Sequence, residues 1–304
     1  MRHVYECPMR WADLDLLGHV NNAVYGDYLQ EARIDMIRTL GASHATEATS
    51  EADGLVVVRT RVDYLRPLLF RLGTVRVETY VEEIRPATFT LAYEVVDDPA
   101  HGGPGDDRIV YVRARTVLTP FRFASETPRR LTDEERARLE PYLEPGQEPR
   151  TPAVAPASGQ RSAPGHLRVP VRFSDVDAYG HVNNVTYLEY LQEGRIELIG
   201  RLWGAAPGAP AEQGRPGPAL VVARAELDYR VPMVPRAEPY DVHTTIERIG
   251  RTSMTFGTEI VDATGEAETC CARGRVVVVF VDRVTGRPVQ PDEEDLRPLR
   301  ELGS

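Results

Sequence analysis

Arg10-Trp11-Ala12-Asp13-Leu14-Asp15-Leu16-Leu17-Gly18-His19-Val20-Asn21-Asn22 is written a second time as Arg172-Phe173-Ser174-Asp175-Val176-Asp177-Ala178-Tyr179-Gly180-His181-Val182-Asn183-Asn184. The match runs on through Tyr25/Tyr187, Tyr28/Tyr190, Leu29/Leu191, Gln30/Gln192, Glu31/Glu193, Arg33/Arg195 and Ile34/Ile196. Between residues 10–34 and 172–196, 15 of 25 positions agree. This spacing far exceeds a solenoid period of about 20–50 residues, so the duplicated object is a whole domain. A chain of 304 residues has room for two domains of roughly 150 residues each.

Working outward in the first copy, residues 2–10 read as a strand and Asp13 to Gly18 as a loop. Asn21 or Asn22 suits a helix N-cap, because a short side-chain oxygen accepts from the free N–H groups of a first turn. Val24, Tyr25, Tyr28, Leu29, Ala32, Met36, Ile37 and Leu40 then follow a 3.6-residue period, predicting a helix of about 19 residues stopped at Gly41. After a polar loop over 42–53, strands are expected at 55–64, 74–84, 88–96 and 109–118, in meander spacing.

Thr132-Asp133-Glu134-Glu135 has capping-box spacing and opens a short helix to about Tyr142. Glu144 to Pro164 is rich in Pro, Ala, Gly and Ser and reads as a flexible linker. The second copy repeats the order: a strand over 166–173, a helix over 184–203 stopped by Gly204, a Gly/Pro-rich loop over 205–218, and strands at 220–229, 240–249, 252–261 and 269–281. Asp63-Tyr64 and Pro67 recur as Asp228-Tyr229 and Pro232, extending the duplication beyond the helix. The expected division is a first domain at 1–123, helix and linker at 124–165, a second domain at 166–290 and a polar tail at 291–304.

Hydrophobic residues make up 42% and charged residues 27%, as in a soluble globular protein. A net charge of −10 lacks the basic footprint of a nucleic-acid binder. Cys7, Cys270 and Cys271 are too few for a disulfide framework and lack metal-ligand spacing, so no metal is expected. The opening residues carry no apolar signal region, and the run from Val276 to Val281 is far short of the ~20 residues that span a membrane. A cytoplasmic protein without membrane insertion is therefore the expectation.

The pattern Asp-x-Asp-x-x-Gly-His-Val-Asn-Asn, followed by Tyr-x-x-Tyr-Leu-Gln-Glu, resembles the hotdog-fold thioesterases. It is nearest to the 4-hydroxybenzoyl-CoA thioesterase branch and is similar to the acyl-ACP thioesterases at His-Val-Asn-Asn. The resemblance implies an α+β class with two hotdog domains in tandem. Each would be a curved antiparallel sheet wrapped around one long central helix. It also implies an intrachain pseudo-dimer, with acyl-thioester sites between the copies, and leaves room for a further homo-oligomer. The implied activity is hydrolysis of an acyl-CoA or acyl-carrier-protein thioester, with no cofactor beyond the CoA of the substrate.

The resemblance places the catalytic carboxylate on Asp15 and Asp177. It places an oxyanion donor, a backbone N–H at the helix start, on Asn22 and Asn184. The physical logic is general. Unpaired N–H groups at a helix N-terminus carry partial positive charge. They stabilise a tetrahedral oxyanion more than the ground-state carbonyl. A nearby carboxylate can attack the carbonyl or activate a water, and the sequence leaves both routes open. Asp13 and Asp175 read as loop-capping carboxylates. His19 and His181 stand where the acyl-ACP branch carries a site histidine, although Leu17 and Tyr179 depart from that branch's asparagine. Thr88 and Ser253 fall where the family carries a small hydroxyl, and Arg59 and Arg224 are candidates for CoA phosphates. The competing readings are a hotdog dehydratase or hydratase, whose Asn-Pro motif is absent, and a non-catalytic acyl-thioester binding protein.

Overall fold

The computed structural model describes residues 1–41, 53–146, 152–203 and 219–302. It contains two compact units, Met1–Pro152 and Ala153–Ser304.

In unit 1 the elements are β1 (His3–Pro8), α1 (Tyr25–Thr39), β2 (Asp53–Tyr64), β3 (Thr74–Ile84), β4 (Phe89–Asp97), β5 (Ile109–Arg122), the short β6 (Thr127–Pro128) and α2 (Asp133–Leu139). The strands pair antiparallel in the order β1-β3-β4-β5-β2, and β6 adds to β5. Only β3-β4-β5 is therefore a meander. β2 pairs with β5, not with β3. The connector 65–73, with Pro67 inside it, is no tight hairpin and carries the chain away, leaving one edge of β3 for β1.

One face of the sheet alternates apolar residues toward α1. Val62, Val75, Val77, Val81, Leu91, Val95, Val112, Ala114 and Leu118 form a core with Tyr25, Tyr28, Leu29, Ala32 and Met36 of the helix. This satisfies both periodicities at once, period 2 in the strands and 3.6 in the helix. Bulges interrupt the ladders at Val57/Arg59, Val81/Glu83 and Val95/Val96. Each adds local bend and twist, which curves a sheet.

Unit 2 contains β7 (His166–Val169), α3 (Thr186–Trp203), β8 (Ala219–Tyr229), β9 (Tyr240–Ile249), β10 (Ser253–Asp262), β11 (Thr269–Val281) and α4 (Glu293–Leu302). Its order, β7-β9-β10-β11-β8, repeats that of unit 1. Its bulges fall at the equivalent rungs, beside Val277/Val278, Thr255/Phe256 and Ile260/Val261. β7 is shorter than expected because Pro170 cannot donate to the ladder.

Two stretches differ from their sequence reading. Residues 152–165, read as a flexible linker, form an extended strap on unit 2. Val154 is buried and donates its N–H to Asp228 Oδ2 at 3.0 Å, and Arg161 pairs with Glu268 at 2.7 Å and Glu259 at 3.1 Å. Gly159 passes so close to β9 that a Cβ there would meet Thr245 Cβ at 2.7 Å. The expected polar tail forms α4 instead. Leu296 and Leu299 are buried, and Trp203 Nε1 donates to the Asp295 carbonyl at 3.1 Å. The loops expected over 42–52 and 205–218, and the Gly204 helix stop, lie outside the described residues. No described helix is long and apolar enough to cross a membrane.

Candidate active site

The repeated stretch folds the same way in both units. Arg10 and Arg172 open a short 3-10 turn that ends at Asp13 or Asp175. A tight hairpin follows, bridged Leu14 to Val20 and Val176 to Val182. Gly18 and Gly180 turn it with φ of 75° and 81°, a region costly for a residue with a Cβ.

Asp13 is buried and serves as a bracket. Its carboxylate accepts from the Arg10 N–H and Nε, both at 2.8 Å, and from the Tyr28 hydroxyl at 2.6 Å. Its carbonyl accepts from the Asn21 N–H at 2.8 Å. Asp175 repeats each contact, with Arg172, Tyr190 and Asn183. Burial, then the Asp13 carboxylate taking its hydrogen bond, raises the Tyr28 phenol far above its ordinary range. Tyr190 behaves alike beside Asp175.

Asp15 and Asp177 are half-buried and differently held. Oδ1 of Asp15 accepts from the Leu17 N–H at 2.8 Å and, at 3.4 Å, from the His19 N–H. Oδ1 of Asp177 accepts from Tyr179 and His181 in the same way, at 2.9 and 3.3 Å. Among the described residues, Oδ2 of neither aspartate carries a hydrogen bond. One oxygen of each carboxylate is thus held by the backbone of its own loop.

The helix starts later than its sequence pattern suggested. In unit 1 a turn over 22–24 precedes α1, with Asn21 Oδ1 accepting from Ala23 at 2.9 Å and the Asn21 carbonyl accepting from Val24 at 3.1 Å. The Ala23 and Val24 amides are thus satisfied locally, whereas the Asn22 N–H has no acceptor among the described residues. Its carbonyl is anchored by the Tyr64 hydroxyl at 2.7 Å, and the Asn184 carbonyl by Tyr229 at 2.8 Å.

These two tyrosines were not singled out as site residues from sequence. Their signal was the repetition of Asp-Tyr at a fixed distance before Pro67 and Pro232. Tyr64 packs edge-on against Tyr25 at 5.7 Å, and Tyr229 against Tyr187 at 5.2 Å. Tyr187 in turn accepts the Met233 N–H at 3.0 Å. The tyrosines beneath the loop both pack and tie its backbone.

His19 and His181 enter the structure through their backbone. Each exchanges a backbone hydrogen bond with the aspartate of its own loop, and neither ring is hydrogen-bonded among the described residues.

Arg59 and Thr88 come together elsewhere in unit 1, in a cleft of about 330 Å³ that Arg61, Glu82, Arg115 and Gly146 also line. The motif loop contributes nothing to that lining. The cleft is of mixed charge, because Arg115 pairs with Glu82 at 2.7 Å and Arg61 with Asp63 at 2.9 Å. In unit 2, Arg224 and Ser253 hold the equivalent rungs, opposite Val277 and Val279 of β11. Unit 1 therefore brings Asp15 and His19 together in one loop, with Asn22 on the turn that follows it, and Arg59 with Thr88 elsewhere. Among the described residues no cluster of His, Cys, Asp or Glu suits a metal ion.

The Thioesterase-like superfamily matches residues 9–140 and again residues 171–299. The chain belongs to that superfamily. The two matched segments each contain one copy of the loop, so the superfamily pattern itself is present twice. One relative of this superfamily member is the uncharacterized protein YsmA of Bacillus subtilis, 30% identical over 132 residues, which are 43% of this chain and 82% of that one. Among solved structures, the chain is similar to a protein assigned as an oleoyl thioesterase from Lactobacillus plantarum. The TM-score is 0.70 at 17% identity, covering 93% of this chain and 98% of that one. It is also similar to the 12:0-ACP thioesterase of Umbellularia californica, with a TM-score of 0.66 at 15% identity over 92% of this chain and 94% of that one. At such identities the likeness is one of fold.

Proposed function

We propose that this protein hydrolyses acyl thioesters, of CoA or of a carrier protein, to the free acid and thiol. Each unit is read as a hotdog domain with its long helix at the centre. Asp15 and Asp177 act on the thioester carbonyl, as nucleophile or as the base for a water. The backbone N–H of Asn22 receives the oxyanion, and Asn184 holds the same motif position in unit 2. The observation that carries this reading is the same in both copies: an aspartate in the loop before the helix, fixed through Oδ1, whose Oδ2 has no hydrogen bond among the described residues. Superfamily membership and the fold shared with proteins named as acyl thioesterases support it. The reaction needs water as its second substrate. Thr88, Ser253, Arg59 and Arg224 are proposed contacts for the thiol carrier, and His19 and His181 for the site wall.

The test is release of free thiol from a panel of acyl-CoAs and acyl-carrier proteins by the wild type, Asp15→Asn, Asp177→Asn and the double variant. Loss of a hydrogen-bonded catalytic carboxylate lowers kcat by about 10²-fold or more. A double variant with full activity would overturn the assignment. Hydration of an enoyl-CoA without thiol release would favour the dehydratase reading instead.

A further inference from the structure

Ladder register and the motif give nearly every residue of one unit a counterpart in the other, so the two copies serve as each other's control. Their largest difference beside the candidate site is the rim of the motif loop. In both units the connector runs beside the hairpin, Val20 donating to the Leu68 carbonyl at 3.0 Å and Val182 to the Met233 carbonyl at 2.8 Å; in unit 1 His19 also bridges to Leu69. The Trp11 ring meets Phe70 edge-on at 5.4 Å. This places Trp11, Leu69 and Phe70 beside the loop in which Leu16 and Leu17 follow Asp15, with Leu72 further along the same connector. Leu72 is 93% exposed, Leu16 84%, Trp11 76%, Leu69 61% and Leu17 57%. An apolar patch of that kind marks a binding surface.

In unit 2 the counterparts are Phe173, Ala178, Tyr179, Val234, Pro235 and Ala237. Apart from Phe173, which is 99% exposed, they are shorter or more polar. Both connectors are tied by an arginine, Arg71 to Asp97 and Arg236 to Asp262, and that of unit 2 has two further ties. The Val234 N–H donates to the Tyr240 hydroxyl at 3.0 Å, and the Arg236 guanidinium lies 3.7 Å over the Tyr240 ring. The counterpart of Tyr240 in β3 is Val75, which has no hydroxyl to do this.

We infer that the two sites differ in acyl specificity: the rim of unit 1 binds the distal part of a long acyl chain whose thioester lies at Asp15, and the Asp177 site takes shorter acyl groups. The inference rests on the thioesterase reading. The rim adjoins the proposed catalytic carboxylate, and its occupant must be apolar, flexible and continuous with the group at that carboxylate. A long acyl chain meets all three conditions.

The experiment uses full-length Asp177→Asn, which reports the Asp15 site, and Asp15→Asn, which reports the Asp177 site. Both are assayed with straight-chain acyl-CoAs from short to long, kept below their micelle concentrations. For Asp177→Asn, kcat/KM should rise roughly two- to fourfold per methylene into the long-chain range, as partial to full burial of a CH2 group gives. For Asp15→Asn it should level off at shorter chains. Adding Leu69→Asn and Leu72→Asn to Asp177→Asn should lower long-chain kcat/KM about tenfold through KM and short-chain kcat/KM far less, with the urea midpoint as the control for folding. Parallel chain-length profiles in the two single variants would overturn the inference. So would an equal loss at all chain lengths on changing the rim, or a rim effect that appears only as the protein self-associates on light scattering. If the wild type releases no thiol from any substrate, it is the underlying thioesterase reading that fails.

Discussion

The Tyr28 hydroxyl donates to Asp13 Oδ2 at 2.6 Å, joining helix α1 to the turn that precedes the loop, and Tyr190 does the same for Asp175 at 2.7 Å. A buried carboxylate with three side-chain or backbone donors is a structural bracket, and its loss is felt wherever the loop is felt. Tyr28→Phe removes one charge-assisted bond and leaves the buried acid short of a donor. The expected cost is about 2 kcal/mol, read as a lower urea midpoint with an unchanged slope. Tyr190→Phe should cost a similar amount.

Tyr64 holds the carbonyl of the residue whose N–H is proposed to meet the oxyanion. Tyr64→Phe should therefore misplace that donor without touching substrate. An effect of about 1 kcal/mol on the barrier corresponds to roughly fivefold in kcat, with KM little changed. Steady-state kinetics in the Asp177→Asn background isolates it. A change confined to KM would argue against a positioning role.

Gly18 has φ of 75° with nothing within 4 Å of a built Cβ. Space is available, so any penalty is conformational. Gly18→Ala should cost roughly 1–2 kcal/mol. Denaturation midpoints of the Ala variants at Gly18 and Gly180 should fall by similar amounts, because the two turns are the same turn.

Glu78 and Glu94 face each other across β3 and β4, and Arg2 and Arg108 each bridge both. Burial alone would raise the Glu94 pKa, but hydrogen bonds from Arg108, Arg113 and Arg2 outweigh it and hold the pKa at about 2 instead of 4.5. A carboxylate depressed in the folded state stabilises fully above its unfolded pKa, and that contribution is lost as pH falls through the folded one. Stability should therefore decline between about pH 5 and pH 2. Arg2→Gln should lower stability most above about pH 5, where both glutamates are ionised, with the difference from the wild type shrinking as pH falls toward 2, as urea titrations across that range will show.

Much of this architecture could be read from the residues. β3 spans 74–84 and β9 spans 240–249, as their alternation indicated, and the Thr132/Glu135 capping box forms as its spacing suggests. Three features could not. The start of α1 was set by Asn21, whose side chain closes a separate turn before the helix, a choice between two adjacent asparagines that periodicity does not make. The pairing of β2 with β5 depends on contacts far apart in sequence. The residues of α4 look polar along the chain, and only the spacing of Leu296 and Leu299, which bury together, marks a packed face. At the candidate site, the identity of the repeated acids was legible, but their division of labour was not. Asp13 and Asp15 are two residues apart and chemically alike. Only the donors around them separate a saturated carboxylate from one with an oxygen to spare.

The recurrence of every bulge at an equivalent rung has a consequence for protein engineering. Strand pairs from the two copies carry the same residue count between corresponding rungs, so they are interchangeable parts. A chimera in which the β10–β11 hairpin replaces β4–β5 would keep its inward and outward faces in phase, whereas deleting one bulged residue would turn every side chain beyond it to the wrong side. Side-chain identity drifted after duplication, but the counting did not.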